Sequence, residues 1–257
     1  MELPLAAPNL FIFDYVFPLF VGREVMKPSA VEGTAFGIGA GCFITAAHCM
    51  KEGMRIGWMA LGTTDGKQLR AWNVSAWELV DAYDLAVFQA DVSVPVKYFP
   101  WHAGQLPMAT TVKAAGYPYA IEPGRDRMGI RSFVGHVVSA TTFGRLAPDP
   151  PSYELSFQCP RGLSGAPLLI RHGDSMLITG IVIGNQRTEM LVFSERESVS
   201  DAKEVVTERY EALQLGIALQ SSALLDRGPF KVLNGRTIRQ HLAQQALLPN
   251  LAGLSPG

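Results

Sequence analysis

The chain has 257 residues, a formal net charge of −1, 48% apolar residues and 18% charged residues. This composition is typical of a globular protein with a sizeable core and excludes a disordered chain. A net charge so near zero produces no long-range field for nucleic acid or for an anionic membrane, so we expect neither as a partner. No apolar run is long enough to span a membrane.

The N-terminal apolar run LFIFDYVFPLFVG does not have the pattern of a secretory signal. Asp14 interrupts it, and the residues before it include Glu2 but no lysine or arginine. The three cysteines, Cys42, Cys49 and Cys159, are an odd number and give no disulfide framework. We therefore expect reduced thiols and a cytoplasmic location.

Short apolar runs bounded by glycine and proline recur along the chain, a pattern that predicts short strands joined by turns. The first series begins with a strand over residues 15–21 and comprises DYVFPLFV, GTAFGIG, GCFITAAH, MRIGWMAL, AWNVSAWELV and DLAVFQA. The second follows the proline-rich SVPVKYFPWHAGQLP and comprises TVKAAGYP, RSFVGHVVSATT, SYELSFQ, APLLIRH, MLITGIVIGN and LQLGIALQSS. We therefore predict an all-β fold of two antiparallel six-stranded barrels, joined near residues 95–110.

Two stretches depart from this pattern. Residues 186–212 are charged and poor in turn residues, which indicates an insertion that could be partly helical. GRTIRQHLAQQALLPN places Ile238, Leu242 and Leu247 near one helical face and predicts a closing C-terminal helix. The expected organisation is a single domain over residues 1–257. It divides into an N-terminal barrel over about 12–105, a C-terminal barrel over 106–225 with the insertion, and a helix and tail over 226–257.

The stretch QCPRGLSGAPLL holds Ser164 in a turn between Gly162 and Gly165, directly before an apolar run. Such a serine is either an ordinary turn residue or a nucleophile. A nucleophilic serine needs a base, a carboxylate that orients the base, and backbone donors for an oxyanion.

The rest of the chain offers candidates for these partners. His48 follows an apolar strand in FITAAHCM, where a histidine is commonly a buried core residue and can also be a base. Asp84 opens the run DLAVFQA, where an aspartate is commonly a turn residue. Asp81 is a competing carboxylate, further from the run that would anchor it.

The motifs TAAHC, DLAVF and GLSGAP, in this order, resemble those of the chymotrypsin-like (trypsin-fold) serine peptidases. The similarity is closest to their compact bacterial branch, which includes the HtrA proteases. AAGYP followed by GHVVSA resembles the opening hairpin of the family's second barrel, TGIVIGN its substrate-pairing strand, and LGIALQSS its last strand. The resemblance covers roughly residues 15–245.

The resemblance implies a role for each residue of the site. Ser164 is expected to be the nucleophile, His48 its general base, and Asp84 the carboxylate that orients the imidazole. The N–H groups of Gly162 and Ser164 are expected to bind the oxyanion. Neither a cofactor nor a metal is implied.

The chain also departs from the secreted members of this family. Leu163 replaces the aspartate that pairs with a new N-terminus after zymogen cleavage, so we do not expect activation by clipping. Control, if it exists, is expected from loop ordering, a regulatory partner protein or the insertion. Cys49 matches one half of the family's histidine-loop disulfide, but Cys42 is only seven residues earlier, so this disulfide is not expected. A metal site made of Cys42, His48 and Cys49 is the alternative to free thiols at these positions, and such a site would make His48 unavailable for catalysis.

The resemblance also places the pocket for the substrate residue that precedes the cleaved bond. In trypsin-like members an acidic residue six positions before the serine attracts lysine or arginine, whereas this chain has Gln158. We therefore expect an uncharged residue there, apolar and medium-sized, unless the glutamates of the insertion (Glu189, Glu195 and Glu197) supply an acid. The expected substrate-binding residues are Gln158, Arg161, Ile183, Gly184, Asn185, Gly216 and Ala218.

These motifs lead to the interpretation of the chain as a bacterial, cytoplasmic serine endopeptidase that acts on a protein substrate. Its biological role stays open between two alternatives. One is protein quality control, and the other is that of a triggered effector that cuts one partner protein, as in defence systems. The alternative is a catalytically silent scaffold that binds peptides.

Overall fold

Twelve strands make two closed antiparallel barrels in the computed structural model, which describes residues 14–24, 29–64, 69–118, 129–200 and 203–249. The first barrel has the strand order β1-β2-β3-β6-β5-β4. Its strands are β1 Val16–Gly22, β2 Ala30–Gly39, β3 Cys42–Ala46, β4 Trp58–Thr64, β5 Leu69–Val80 and β6 Leu85–Ala90. This part of the predicted fold is confirmed.

The second barrel has the strand order β10-β11-β12-β9-β8-β7. Its strands are β7 Thr111–Gly116, β8 Arg131–Thr142, β9 Pro151–Leu155, β10 Pro167–His172, β11 Ser175–Ser200 and β12 Lys203–Gln220. The α-helices are α1 Ala47–Ile56, α2 Ser221–Leu225 and α3 Ile238–Gln244, and single 3₁₀ turns cover Asp81–Tyr83 and Lys231–Leu233. Among the described residues, none of these helices is long and apolar enough to cross a membrane.

The apolar core has one part inside each barrel and a third part between the barrels. The third part combines side chains of the first barrel, such as Phe36 and Ile44, with Ile181 and Leu219 of the second. Helix α3 packs against the same cluster through Ile238 and Leu242, both fully buried. The predicted closing helix is therefore present, but it ends at Gln244, before Leu247.

Helix α1 corrects the prediction for the region after β3. The sequence pattern predicted a strand through the alanines to His48 and another from Met54, but Ala47–Ile56 is helical and β4 begins at Trp58. The apolar spacing of MRIGWMAL is compatible with either structure, and Gly57, with φ +124°, ends the helix.

Residues 186–200 and 203–212 form a β-ribbon, so the expectation of a partly helical insertion is wrong for them. Strands β11 and β12 continue beyond the barrel as one antiparallel pair, with Gln186 opposite Leu215 and Ser200 opposite Lys203. The segment contains four valines, which favour strands, and the two barrel strands already hold its ends in register. Glu189 pairs with Arg187 on this ribbon, at 2.7 Å.

Candidate active site

His48 lies in the first turn of α1, where β3 leaves the first barrel. The residue before the helix, Ala46, offers no side-chain cap, so the first N–H groups need another acceptor. Asp84 supplies it from the end of a distant 3₁₀ turn. Its carbonyl oxygen accepts from the N–H of Ala47 at 2.8 Å, and its Oδ1 accepts from the N–H of His48 at 2.9 Å.

The second carboxylate oxygen of Asp84 holds the imidazole. Nδ1 of His48 lies 2.6 Å from Oδ2, while the His48 side chain is 49% exposed and that of Asp84 only 16%. Asp84 has a left-handed backbone conformation, φ 42° and ψ 41°, which aspartate tolerates better than most residues. The competing Asp81 pairs with Lys51 at 2.9 Å instead.

The environment of His48 favours its protonated form. Partial burial lowers the pKa of His48, but the hydrogen bonds to Asp84 and Cys49, together with their charges, outweigh burial and raise the pKa to about 10. The imidazole must lose this proton before it can act as a base.

We expect kcat/KM for a peptide substrate to rise with pH between about 6.5, the reference pKa of histidine, and the raised value. Because the folded-state pKa is raised, the His48–Asp84 pair stabilises the fold fully below the unfolded pKa, and this contribution disappears as the pH rises through the folded pKa. A pH profile of kcat/KM tests this expectation, with thermal unfolding followed over the same range. A rising limb that is complete below pH 6.5 would contradict it.

Ser164 lies in the second of two consecutive turns. The N–H of Leu163 donates to the carbonyl of Pro160, and the N–H of Ala166 donates to the carbonyl of Leu163, each at 3.0 Å. The third residues of these turns are Gly162 (φ +93°) and Gly165 (φ +84°), as a type II turn requires. A Cβ on Gly162 would also lie 2.5 Å from the carbonyl oxygen of Tyr117.

The N–H groups of Gly162 and Ser164 are free for a ligand. Neither donates to a backbone carbonyl of the described residues, whereas the N–H groups of the neighbouring Leu163 and Gly165 are both used. Two such donors, two residues apart in consecutive turns, make a suitable site for a negative oxygen.

The serine turn packs directly against the first barrel, beside the histidine helix. The carbonyl of Ser164 accepts from the N–H of Thr34 at 2.8 Å and lies 3.9 Å from Sγ of Cys49, the residue after His48. A Cβ on Gly165 would collide with Thr34 and Thr45. The fold thus brings the predicted His48, Asp84 and Ser164 into one region.

Thr34, which the sequence motifs did not indicate, holds this turn from the first barrel. Its side chain is fully buried, donates to the carbonyl of Gly162 at 2.8 Å, and accepts from the N–H of Tyr117 at 3.0 Å. Thr34 thus fixes the Gly162–Leu163 peptide, which lies between the two free N–H groups of Gly162 and Ser164. In the sequence it is one more residue of a strand-like run, so no local signal identifies it.

We expect Thr34→Val to lower kcat at least tenfold with little change in KM. The change leaves the carbonyl of Gly162 and the N–H of Tyr117 buried without a partner, at a cost of about 1–3 kcal/mol each, and releases the turn. Steady-state kinetics measure this effect. Thr34→Ser keeps the hydroxyl and should restore kcat, and an equal loss in both variants would contradict the positioning role.

The predicted substrate-pairing strand lies next to the serine turn. The N–H of Gly165 donates to the carbonyl of Val182 at 2.8 Å, and the pairing of β10 with β11 ends at Ile181. Beyond this point β12 is the only described strand that pairs with β11, with Gly184 opposite Ile217 and a bulge at Ile183. Residues 183–185 therefore offer a free strand edge beside Ser164.

The residues predicted for the first specificity pocket occupy several environments. Ile183, Gly216 and Ala218 are buried, Gly184 and Asn185 are partly buried, and Gln158 is exposed. Arg161 is 73% exposed and is held by Glu32, with an N–O distance of 2.9 Å. The carboxamide of Asn185 bonds to the backbone of the buried Cys159.

All three cysteines are free and buried. Burial raises the pKa of Cys159 to about 12, so its thiol is protonated and unreactive at neutral pH. In the ranges that the structure describes, no group of three or more histidine, cysteine, aspartate or glutamate residues is arranged to hold a metal.

The comparison with protein-family models decides the family. The trypsin-like peptidase domain model matches residues 33–176, which is more than half of the chain. The chain belongs to the trypsin-like peptidase family. The match includes His48, Asp84 and Ser164. No match was found among curated proteins.

Solved structures of two proteases have a similar fold. The active form of the Rv3671c protease from M. tuberculosis is 16% identical, with a TM-score of 0.54 over 82% of this chain and 78% of the other. The MamO protease domain from Magnetospirillum magneticum (apo form) is 14% identical, with a TM-score of 0.55 over 82% of this chain and 93% of the other. At these identities the likeness shows the fold alone.

Proposed function

We propose that this trypsin-like peptidase is a serine endopeptidase that hydrolyses peptide bonds of a protein substrate. The observation that carries the proposal is the 2.6 Å contact between His48 and Asp84, beside a serine turn that presents two free N–H groups. The peptidase family supports the reaction type. The chemistry needs a nucleophile, a base, an orienting carboxylate and an oxyanion site, and we assign these roles to Ser164, His48, Asp84 and the N–H groups of Gly162 and Ser164.

In the proposed mechanism, Oγ of Ser164 attacks the carbonyl carbon of the scissile bond while Nε2 of His48 takes the hydroxyl proton. The carbonyl oxygen becomes an oxyanion, which the N–H groups of Gly162 and Ser164 bind. When the C–N bond breaks, His48 gives its proton to the leaving amine. A water molecule, deprotonated by His48, then hydrolyses the acyl-enzyme and restores Ser164.

The substrate backbone is proposed to pair with the free edge at residues 183–185, next to the nucleophile. Strand addition uses main-chain hydrogen bonds, so an extended segment of many sequences could bind there. The adjoining pocket, without an acidic residue at position 158, is proposed to take an uncharged side chain.

The three free, buried thiols suit a reducing compartment, and we propose a bacterial cytoplasm as the place of action. The proposed role is that of a triggered effector that cuts a partner protein, with general quality control as the alternative. Neither nucleic acid nor a membrane enters this proposal.

Mapping of new protein N-termini in cells that express the wild type or Ser164→Ala tests the proposal. We expect new N-termini with the wild type only. A small set of sites in one protein would support the effector role, and many sites in unfolded proteins would support quality control. Identical maps from the two variants would contradict the endopeptidase and leave the peptide-binding scaffold.

A further inference from the structure

The side chain of Asn185 bridges two segments that flank the pocket beside the nucleophile. Its Oδ1 accepts from the N–H of Cys159 at 2.6 Å, and its Nδ2 donates to the carbonyl of Cys159 at 2.7 Å. Both backbone groups of Cys159 are thus bound by one carboxamide. The distance between the segment before the serine turn and the free edge of β11 is therefore set by the length of one asparagine side chain.

The thiol of Cys159 fills the space beneath this bridge. A Cβ on Gly216, which pairs with Asn185 across β11 and β12, would lie 2.5 Å from Sγ of Cys159 and 2.5 Å from the carbonyl oxygen of Phe157. Cys159 is only 4% exposed. The thiol of Cys159 and the backbone of Phe157 thus pack closely against Gly216, opposite Asn185.

A substrate side chain that enters between two protein walls needs room on both faces. Carbon atoms in contact are about 3.5–4.0 Å apart, so the walls must be separated by roughly twice that distance. In this chain the Asn185 carboxamide itself lies between the walls, within hydrogen-bond distance of one and covalently attached to the other. It occupies the volume that a long or aromatic side chain would need.

The entrance above the bridge is open. Gly184 has φ +149°, and a Cβ placed on it would find no atom within 4 Å. A peptide backbone can therefore approach the edge at residues 183–185 even though the space behind it is filled.

We propose that Asn185 is a specificity-determining residue that limits the substrate residue before the cleaved bond to a small side chain: glycine, alanine or serine. The inference rests on the proposed endopeptidase function and replaces the expected preference for a medium-sized apolar residue with a preference for a small one. Asn185 sets the depth of the pocket through its bonds to Cys159, and it takes no part in the bond-breaking steps.

A positional-scanning peptide library, cleaved by the wild type and by Asn185→Ala, tests this assignment. We expect the wild type to cleave after alanine or glycine at least tenfold faster, in kcat/KM, than after leucine or phenylalanine. A single methylene is worth about 10–200-fold in enzyme specificity, so this contrast should be measurable. Asn185→Ala should raise kcat/KM for leucine or phenylalanine at least tenfold, and Asn185→Asp, which cannot donate to the Cys159 carbonyl, should give an intermediate profile.

Gln105→Ala removes an exposed carboxamide elsewhere and should leave the profile unchanged. Alkylation of Cys159, mapped by mass spectrometry, is a second measurement that does not require activity, and we expect it to be faster in folded Asn185→Ala than in the wild type. A wild type that prefers leucine or phenylalanine, or unchanged specificity and alkylation in Asn185→Ala, would overturn the assignment. If Ser164 reacts with no active-site reagent, the endopeptidase proposal fails, while the alkylation rates still report on the bridge.

Discussion

Replacement of His48 or Ser164 by alanine is expected to lower kcat for peptide hydrolysis by about 10⁶-fold in each case. The double variant should be scarcely worse than either single variant. Ser164 is a weak nucleophile without a base, and His48 has no proton to move without the hydroxyl, so the loss of either partner removes the same step. Steady-state kinetics of the two single variants and the double variant measure this, and clearly additive losses would contradict a joint role.

Ser164→Ala should keep the fold. The structural contacts of Ser164 are made by its carbonyl, which accepts from Thr34, and the backbone remains in the variant. Thermal unfolding of this variant should therefore match that of the wild type. A large drop in Tm would mean that Ser164→Ala is inactive because it unfolds, and not because it lacks the nucleophile.

Asp84→Asn is expected to lower kcat by about 10⁴-fold while the protein remains folded. The asparagine carbonyl can still accept the N–H of His48, which preserves the start of α1, but its NH₂ group would face Nδ1. An amide donor there favours the tautomer in which Nε2 carries the proton, and such an imidazole cannot accept the proton of Ser164. The measurement is kcat together with the circular dichroism spectrum.

Asp81→Asn is the matched control for this change. Asp81 is exposed and pairs with the exposed Lys51, and such surface pairs contribute little to stability. We expect less than a twofold effect on kcat. If Asp81→Asn were the more damaging change, the carboxylate would be wrongly assigned.

Most barrel strands could be predicted from the sequence because they contain a short apolar run, often next to glycine or proline, and this signal is contained within a few residues. Helix α1 could not be predicted in the same way. It lacks a local capping residue, and its acceptor, Asp84, is 36 residues away along the chain. The same distance explains why Asp84 appears in the sequence as one more turn aspartate, although the motif containing it still indicated a role.

The sequence motifs identified the nucleophile turn and its neighbours, but they did not identify the residues that hold this turn in place. Thr34 reaches Gly162 across 128 positions of sequence, and Asn185 reaches Cys159 across 26. Contacts of this kind depend on how the two barrels pack and how β11 bends at its bulge, and no periodicity encodes them. The ribbon of residues 186–200 and 203–212 could not be predicted for another reason: its charged residues suggest a helix, while its strand structure comes from the pairing of β11 with β12.

The reaction of the native protein with a fluorophosphonate, followed by mass-spectrometric mapping of the modified residue, tests the central claim most directly. The reagent forms a covalent bond with a serine only when that serine is activated by a base and the phosphoryl oxygen is bound by oxyanion donors. We predict modification of Ser164 alone in the folded protein, and none after unfolding or in His48→Ala. A folded protein in which Ser164 stays unmodified, or in which another residue takes the label, would contradict the account.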